Sequence, residues 1–285
     1  MYSGIIKLQG MMRKNSIVRN GILMSKNTSD TIAGIDFEAW TEKESTIIKD
    51  VIIPETYDKK VVAFLDLLGI TQRIMSDQKG DEIVAVMEKI KKIVDGQVGV
   101  FEYRDSLDYL YISDSFIFVC DIEQIVEFLK LLGMIQMLVL LECKVMLRGA
   151  IEYGDVTIRD SGKQIIGPAY VRAYLKQEHD AIFPRIILGN SIKEQIIDKN
   201  LSNLLYTYDR EYALDYIGTY METEKISLSK FIVRLVREEV IKFLIENYKR
   251  YDEDEKPSVR AKYGYTINYF KDKGVWPNDR EYLCW

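Results

Sequence analysis

From about residue 60 the apolar positions fall into short β-branched runs that alternate with longer stretches of helical period. KKVVAFLDLLG, from Lys60, is a β-branched and aromatic run closed by a glycine, the pattern of a buried strand. DEIVAVMEKIKKIV, Asp81 to Val94, puts Ile83, Val84, Val86, Met87, Ile90, Ile93 and Val94 on one broad face with lysines opposite, which predicts an amphipathic helix. SLDYLYISDSFIFVC alternates as two strands with Ser113, Asp114 and Ser115 at the turn between them. A helix is predicted from Asp121, as N-cap, to Glu142, and its apolar residues cover more than one face, so it should be buried on two sides. KVMLRGAIEYGDVTIR reads as a strand. QIIGPAYVRAYLKQEHD reads as a brief strand and a Gly-Pro helix start, with proline suited to the first turn, and FPRIILGN closes the set as a strand.

The resulting order is strand, helix, strand, strand, helix, strand, then strand, helix, strand, which extends the split β-α-β arrangement of ferredoxin-like α+β folds. From about Ser191 the chain turns rich in tyrosine and charge, with a helix at Ser229 to Arg250, an acidic break at Asp252 to Lys256 and an aromatic tail. The expected organisation is a poorly defined N-terminal extension at 1–33, a lead-in at 34–59, a catalytic domain at 60–198 and a helical, tyrosine-rich C-terminal extension at 199–285.

Composition narrows the class. With 285 residues the chain is long enough for one large domain or one medium domain with appendages. A hydrophobic fraction of 47%, a charged fraction of 29% and a net charge of -5 are ordinary for a cytosolic protein and give no overall basic field for nucleic acid. Cys120, Cys143 and Cys284 lie far apart without metal-ligand spacing, and their odd number makes a poor disulfide framework, so a reducing cytoplasm is expected. The most apolar run, Phe128 to Leu147, is broken by Lys130, Gln136, Glu142 and Lys144, which favours a buried helix running into a strand over a membrane span. The first residues lack the apolar core and small-residue cleavage site of a secretory signal, and Met24 offers a second start.

Two acids carry the candidate chemistry. Asp66 stands at the end of a buried strand in FLDLLGI and Asp114 at the hairpin tip in YISDSF, and in a ferredoxin-like core these strands lie side by side. Two carboxylates at one point need a cation, and paired acids with few other ligands suit magnesium or manganese, which take oxygen donors and leave room for phosphates. Taken singly, Asp66 also reads as a cap and Asp114 as a turn former.

KKVVAFLDLLGITQRI resembles the first metal motif of class III nucleotidyl cyclases, YISDSFIFV their second metal-aspartate hairpin, and LRGAIEYGDV their next strand. The matches keep order and spacing from about Val61 to Asn190. The resemblance implies that Asp66 and Asp114 ligate two Mn2+ or Mg2+ ions with the Leu67 carbonyl as a backbone ligand. It also implies that Gly69 and Ile70 lie under the triphosphate and that Arg148 binds phosphate, although Arg148 also reads as a surface ion pair.

The departures from that family are as informative. Its purine enzymes carry a lysine four residues before the second aspartate and an acid just before the Gly-Pro turn, where this chain has Leu110 and Gln164. Leucine cannot donate to a base nitrogen, whereas an amide offers one acceptor and two donors. Period-two alternation puts Phe64 on the strand face of Asp66, and Leu110 and Ile112 on that of Asp114, so an apolar pocket floor is expected, with Phe64 either walling the base or serving as core. The family's ribose-orienting asparagine and transition-state arginine align with Val171 and Leu175, which leaves Arg172, Lys176, Arg104 and Lys163 as candidate cations.

GPAYV-x-AY-L followed by a PRI strand, joined to FLDLLG and SDSF, is similar to the pyrimidine cyclases of Pycsar anti-phage systems, apart from Arg172, where an acid is expected. That likeness implies a homodimeric cytoplasmic enzyme converting UTP to 3',5'-cyclic UMP and pyrophosphate as a second messenger. The cyclic nucleotide would act on a separate effector, without nucleic acid and without direct membrane insertion of the cyclase. The alternatives are a cytidylate cyclase, then a purine cyclase, then a catalytically silent nucleotide-binding module. The lone His179 reads as a solvated helix-end residue, Glu88 to Lys92 as a wet helix face, and the aromatic tail from Tyr263 as packing on the core.

Overall fold

The computed structural model describes residues 16–19, 22–25, 57–70, 80–159, 164–196, 201, 203–208, 211–251 and 256–277. The chain divides into two units, Met1–Pro54 and Glu55–Trp285. Within the first, β1 (Ser16–Arg19) and β2 (Ile22–Ser25) form an antiparallel pair.

The second unit is α+β. Its elements are β3 (Asp58–Leu68), α1 (Asp81–Gly99), β4 (Asp108–Ile112), β5 (Ser115–Cys120), α2 (Ile125–Cys143), β6 (Met146–Arg159), β7 (Gln164–Ile166), α3 (Pro168–His179) and β8 (Ile186–Leu188). They come in the order that the hydrophobic pattern predicts. The sheet runs β4-β5-β3-β6-β8 and continues through β10 (Glu211–Leu214) to β9 (Leu205–Tyr208), with β7 paired to the far part of β6. β3 pairs antiparallel with both β5 and β6, so the first four strands of this unit have the ferredoxin-like arrangement in which the first of them, β3, lies between the third and fourth.

Alternation along β3 builds two layers. Val61, Ala63, Leu65 and Leu67 face the main core with Phe128, Leu132, Ile135 and Val139 of α2, whereas Val62 and Phe64 face the opposite side with Ala169 and Ala173 of α3. α2 is apolar around most of its circumference because it is covered twice: Met134, Met137, Leu140 and Leu141 pack on Tyr216, Ile217 and Tyr220 from a second set of helices. Ile122–Cys143 is long and apolar enough to cross a membrane by length and composition, but 72% of its most apolar window is buried inside the protein.

Three features depart from the sequence reading. The stretch expected to be a helical extension also contributes two strands, β9 (Leu205–Tyr208) and β10 (Glu211–Leu214), which carry the sheet past residue 198 through the β10–β8 pairing. The single helix expected at Ser229 to Arg250 is two, α6 (Leu228–Arg237) and α7 (Val240–Arg250), divided at Glu239, whose φ is +56°. Its apolar stripe changes phase from Phe231 and Leu235 to Val240, Ile241 and Leu244, so one straight helix could not bury both halves. Asp121 does not cap α2 with its side chain. A 3-10 turn at Ile122–Gln124 intervenes, and the Asp121 carboxylate pairs with Lys60.

The remaining helices are α4 (Asn190–Ile196), α5 (Tyr216–Thr223) and α8 (Pro257–Asp272). Asp215, buried, accepts hydrogen bonds from the Gly218 amide at the start of α5 and from the Tyr269 hydroxyl of α8 at 2.6 Å, and it also pairs with Lys273, so one carboxylate fastens α5 to α8. Tyr263, Tyr265, Tyr269 and Phe270 are buried, so the described part of the aromatic tail packs on the protein as expected; residues 278–285 lie outside the described residues.

β3 and β6 approach so closely at Gly149 that a Cβ there would meet the Phe64 carbonyl oxygen at 2.6 Å and Leu65 Cδ2 at 2.4 Å. Gly149→Ala should therefore destabilise the protein by about 1–3 kcal/mol, read as a lower denaturant midpoint at constant m-value. An unchanged midpoint would mean that the ladder shifts to admit the methyl group.

Candidate active site

The site forms where β3 ends. Asp66 lies opposite Ser115 on one neighbouring strand and opposite Arg148 on the other. β4 and β5 are joined by the two residues Ser113 and Asp114, with Ser113 at φ +56°, the left-handed conformation that a tight hairpin needs. The Asp114 carbonyl accepts the Leu67 amide at 3.0 Å, which ties the hairpin tip to the residue after Asp66. The two aspartates predicted from sequence are thus brought together. Because N-H and C=O of one strand residue point to the same neighbour, the Leu67 carbonyl faces the same hairpin edge.

Asp66 is mostly buried, with 18% of its side chain exposed. Burial first, and the nearby Asp114 charge in addition, push its carboxyl above the usual range, while the hydrogen bond and charge of Arg148 pull it back. Arg148 Nε lies 2.9 Å from Asp66 Oδ2, and its Nη1 reaches the Ala181 carbonyl at 3.5 Å. Arg148 is therefore in an ion pair, as the sequence allowed, but a partly buried one made with a proposed metal ligand and not a surface one. Released from that carboxylate by a stronger cation, its guanidinium would be free to meet an anion.

The other predicted positions separate. Gly69 is exposed at φ +80°, a backbone geometry that suits glycine, whereas the Ile70 side chain is fully buried in the main core. Phe64 is 7% exposed and covered by α3: its ring lies 5.3 Å from that of Tyr174, edge to face, and 6.1 Å from that of Tyr170. It is a core residue in this chain, and so is not open to stack on a base. Leu110 packs partly buried beside it, across Ile117, while Ile112 is exposed. Gln164 is exposed and pairs with Arg159, eleven residues beyond Arg148 and roughly 35 Å away along β6. It cannot join the Asp66 site of its own chain.

Among the candidate cations, Arg172 donates to the Tyr153 carbonyl at 3.0 Å, Lys176 pairs with Asp180 and Glu211, and Arg104 is exposed beside Asp105. Lys163 lies outside the described residues. Val171 and Leu175 are exposed on the outer face of α3, and His179 is exposed at its end.

Two residues near Asp66 escaped sequence reasoning. Gln177, 3% exposed, points its Nε2 at Asp66 Oδ2 from 3.4 Å. Ala169, Ala173 and Gln177 recur every four residues on the buried face of α3, and a glutamine in line with two alanines was the available signal. Lys262 of α8, half-buried, is close enough for its ammonium to feel both Arg148 and Asp66. Nothing local in AKYGYTINYF marks it. A further cavity of about 220 Å3, lined by Tyr206, Tyr208, Tyr265, Tyr269, Asp272 and Lys273, lies apart from these acids.

The donor set suits a hard divalent cation. No group of three or more His, Cys, Asp or Glu occurs among the described residues, so nitrogen- and sulfur-rich metal sites do not form there. Two carboxylates and a strand-end carbonyl match oxygen-loving ions that keep open positions, and Arg148 already supplies a positive charge to Asp66.

No family model and no curated protein matches the chain. Solved structures similar to it include the monomeric guanylyl cyclase domain of the RhoGC fusion protein from the aquatic fungus Blastocladiella emersonii, at 17% identity over 56% of this chain and 96% of that one, TM-score 0.45. The adenylyl cyclase CyaB from P. aeruginosa is 13% identical over 55% and 93%, TM-score 0.42. A class III adenylyl cyclase-like ATP-binding protein from Pseudomonas aeruginosa is 15% identical over 65% and 48%, TM-score 0.45. Likeness at this level defines neither reaction nor substrate.

A cation held by Asp66 and Asp114 should stabilise the fold by mass action. At a hundredfold excess over the dissociation constant, Mn2+ should add about 2.7 kcal/mol, seen as a rise in Tm. Asp66→Ala should abolish most of that rise, and an equal rise in the variant would remove Asp66 from the metal site.

Proposed function

We propose that this protein is a metal-dependent pyrimidine nucleotide cyclase that converts UTP to 3',5'-cyclic UMP and pyrophosphate, with CTP the nearest alternative substrate. The observation that carries the reading is the convergence of Asp66 and Asp114, tied by the Leu67–Asp114 hydrogen bond and flanked by Arg148. In the reaction the ribose 3'-oxygen attacks the α-phosphorus, the bond from that phosphorus to the β-bridging oxygen breaks, pyrophosphate leaves and the 3'-hydroxyl proton is lost. Divalent cations held by Asp66, Asp114 and the Leu67 carbonyl would acidify that hydroxyl and neutralise the leaving charge. Arg148 then binds phosphate oxygens, and Gln177 keeps Asp66 oriented after the guanidinium has turned away.

The pyrimidine assignment rests on Leu110 and Gln164 standing where purine cyclases carry a lysine and an acid. Gln164 is too distant to serve its own chain, which supports a homodimer in which it reads the base at the partner's metal site. Exposed Val171, Tyr174 and Leu175 on α3 and Ile166 on β7 supply apolar surface for such a pairing. The likeness to anti-phage pyrimidine cyclases extends the proposal to a cytoplasmic second-messenger role acting through a separate effector.

Purified protein with Mn2+ should cyclise UTP or CTP and leave ATP and GTP largely untouched, as resolved by chromatography of the products. Asp114→Ala should abolish turnover while leaving the circular dichroism spectrum intact. Turnover of purines alone would overturn the base assignment, and no turnover of any of the four would favour a silent binding module.

Composite sites make a second expectation. Asp66→Ala and Gln164→Ala chains should each be impaired, the latter roughly tenfold or more, and mixing them should restore activity in the same assay. A monomer fully active in sedimentation would exclude the arrangement.

A further inference from the structure

We propose that Lys262, carried on α8 outside the ferredoxin-like part of the sheet, is a polyphosphate-binding residue of the Asp66 site. For its ligand this rests on the cyclase reading, and it adds a group that neither strand motif contains. Thr266, fully buried, has its hydroxyl within hydrogen-bond reach of both the Met146 sulfur, at 3.5 Å, and the Lys262 carbonyl, at 3.1 Å, so the turn that carries Lys262 lies against the first residue of β6. Tyr263 packs in the same cluster as Met146 and Leu68, and Leu68 and Met146 are the last rung of the β3–β6 ladder, two rungs past Asp66 and Arg148. Asp215 fixes the other end of α8. The helix is thus fastened at two points, and it holds Lys262 close enough to the strand end for its ammonium to feel Asp66 and Arg148.

Its charge environment agrees with that position. Burial and the Arg148 guanidinium both disfavour the Lys262 ammonium, and the Asp66 charge offsets them in part. Two like charges held together at a half-buried point are costly unless an anion joins them. With two divalent ions on Asp66 and Asp114, Arg148 and Lys262 would bring the excess of positive charge to about four elementary charges, the charge of a fully ionised nucleoside triphosphate. Arg148 reaches the site from the sheet and Lys262 from the helix, so the two flank a phosphate chain where one alone would touch a single side.

The test uses the full chain and inorganic tripolyphosphate with Mn2+, measured by titration calorimetry. Lys262→Met keeps the aliphatic stem and removes the charge. It should weaken tripolyphosphate about tenfold, with the Tm of the free protein unchanged or raised, because the lost charge is one that burial and Arg148 disfavour, and Lys262→Arg should recover most of the affinity. If Lys262→Met lowers the Tm, Lys262→Gln is measured in the same way. Wild-type affinity in the charge-removing variants, failure of Lys262→Arg to recover binding, or no binding by the wild type would each overturn the proposal. If affinity falls as expected while no nucleoside triphosphate is cyclised, Lys262 stands as a polyphosphate ligand and the cyclase reading fails. Cyclisation by a wild type whose variants bind tripolyphosphate normally has the opposite meaning.

Discussion

A carboxylate enclosed at the end of a central strand must be matched by positive charge, and in this protein that need is concentrated on Asp66. The sheet presents it between two strands at once. Its register with β5 sets the acidic hairpin on one side, and its register with β6 sets Arg148 on the other. A slip of one residue in either ladder would turn the partner to the opposite face and leave the carboxylate buried against apolar groups. The Asp66 charge is therefore balanced within the chain by the Arg148 guanidinium.

The helices serve that register from both sides of the sheet. α2 covers the face away from Asp66, and its second apolar side receives α5, so the C-terminal helices are joined to the same core. A fully buried Leu or Phe at such positions contributes about 1.5–3 kcal/mol. The C-terminal segment consequently does structural duty through β9, β10 and Asp215 in addition to carrying α8 toward the Asp66 end of the sheet.

Sequence periodicity was sufficient for the ferredoxin-like part because each element there is long or sharply punctuated: the β3 run ends at Gly69, the β4–β5 turn is two residues, and α3 opens on Gly-Pro. It was insufficient beyond Ser191, where β9 and β10 are four residues each and alternate too briefly to stand out from a tyrosine-rich background. The break at Glu239 was hidden because both flanking helices are strongly amphipathic and only the phase of the stripe changes. The aspartates were legible as a pair because strand order alone brings them together. Gln177 and Lys262 were not, since their place depends on how a helix lies across the sheet, and that is decided by distant contacts such as Thr266 with Met146. Phe64 was legible only to its face; the tyrosines that cover it come from another element.

The position of β3 in the sheet also dictates an order of assembly. The strand emerges from the ribosome first among the sheet's members, yet Arg148 and Gln177 are 82 and 111 residues away from Asp66 in the chain. At 5–20 residues per second, roughly 5–20 seconds pass before both are available, and β5, which starts at Ser115, follows within about 2–10 seconds. Until β5 is made a strongly apolar segment has both edges bare, and until β6 is made it still has one, and such edges pair readily with other chains. The central strand that makes the site possible is thus also the segment for which newly made protein most needs shelter.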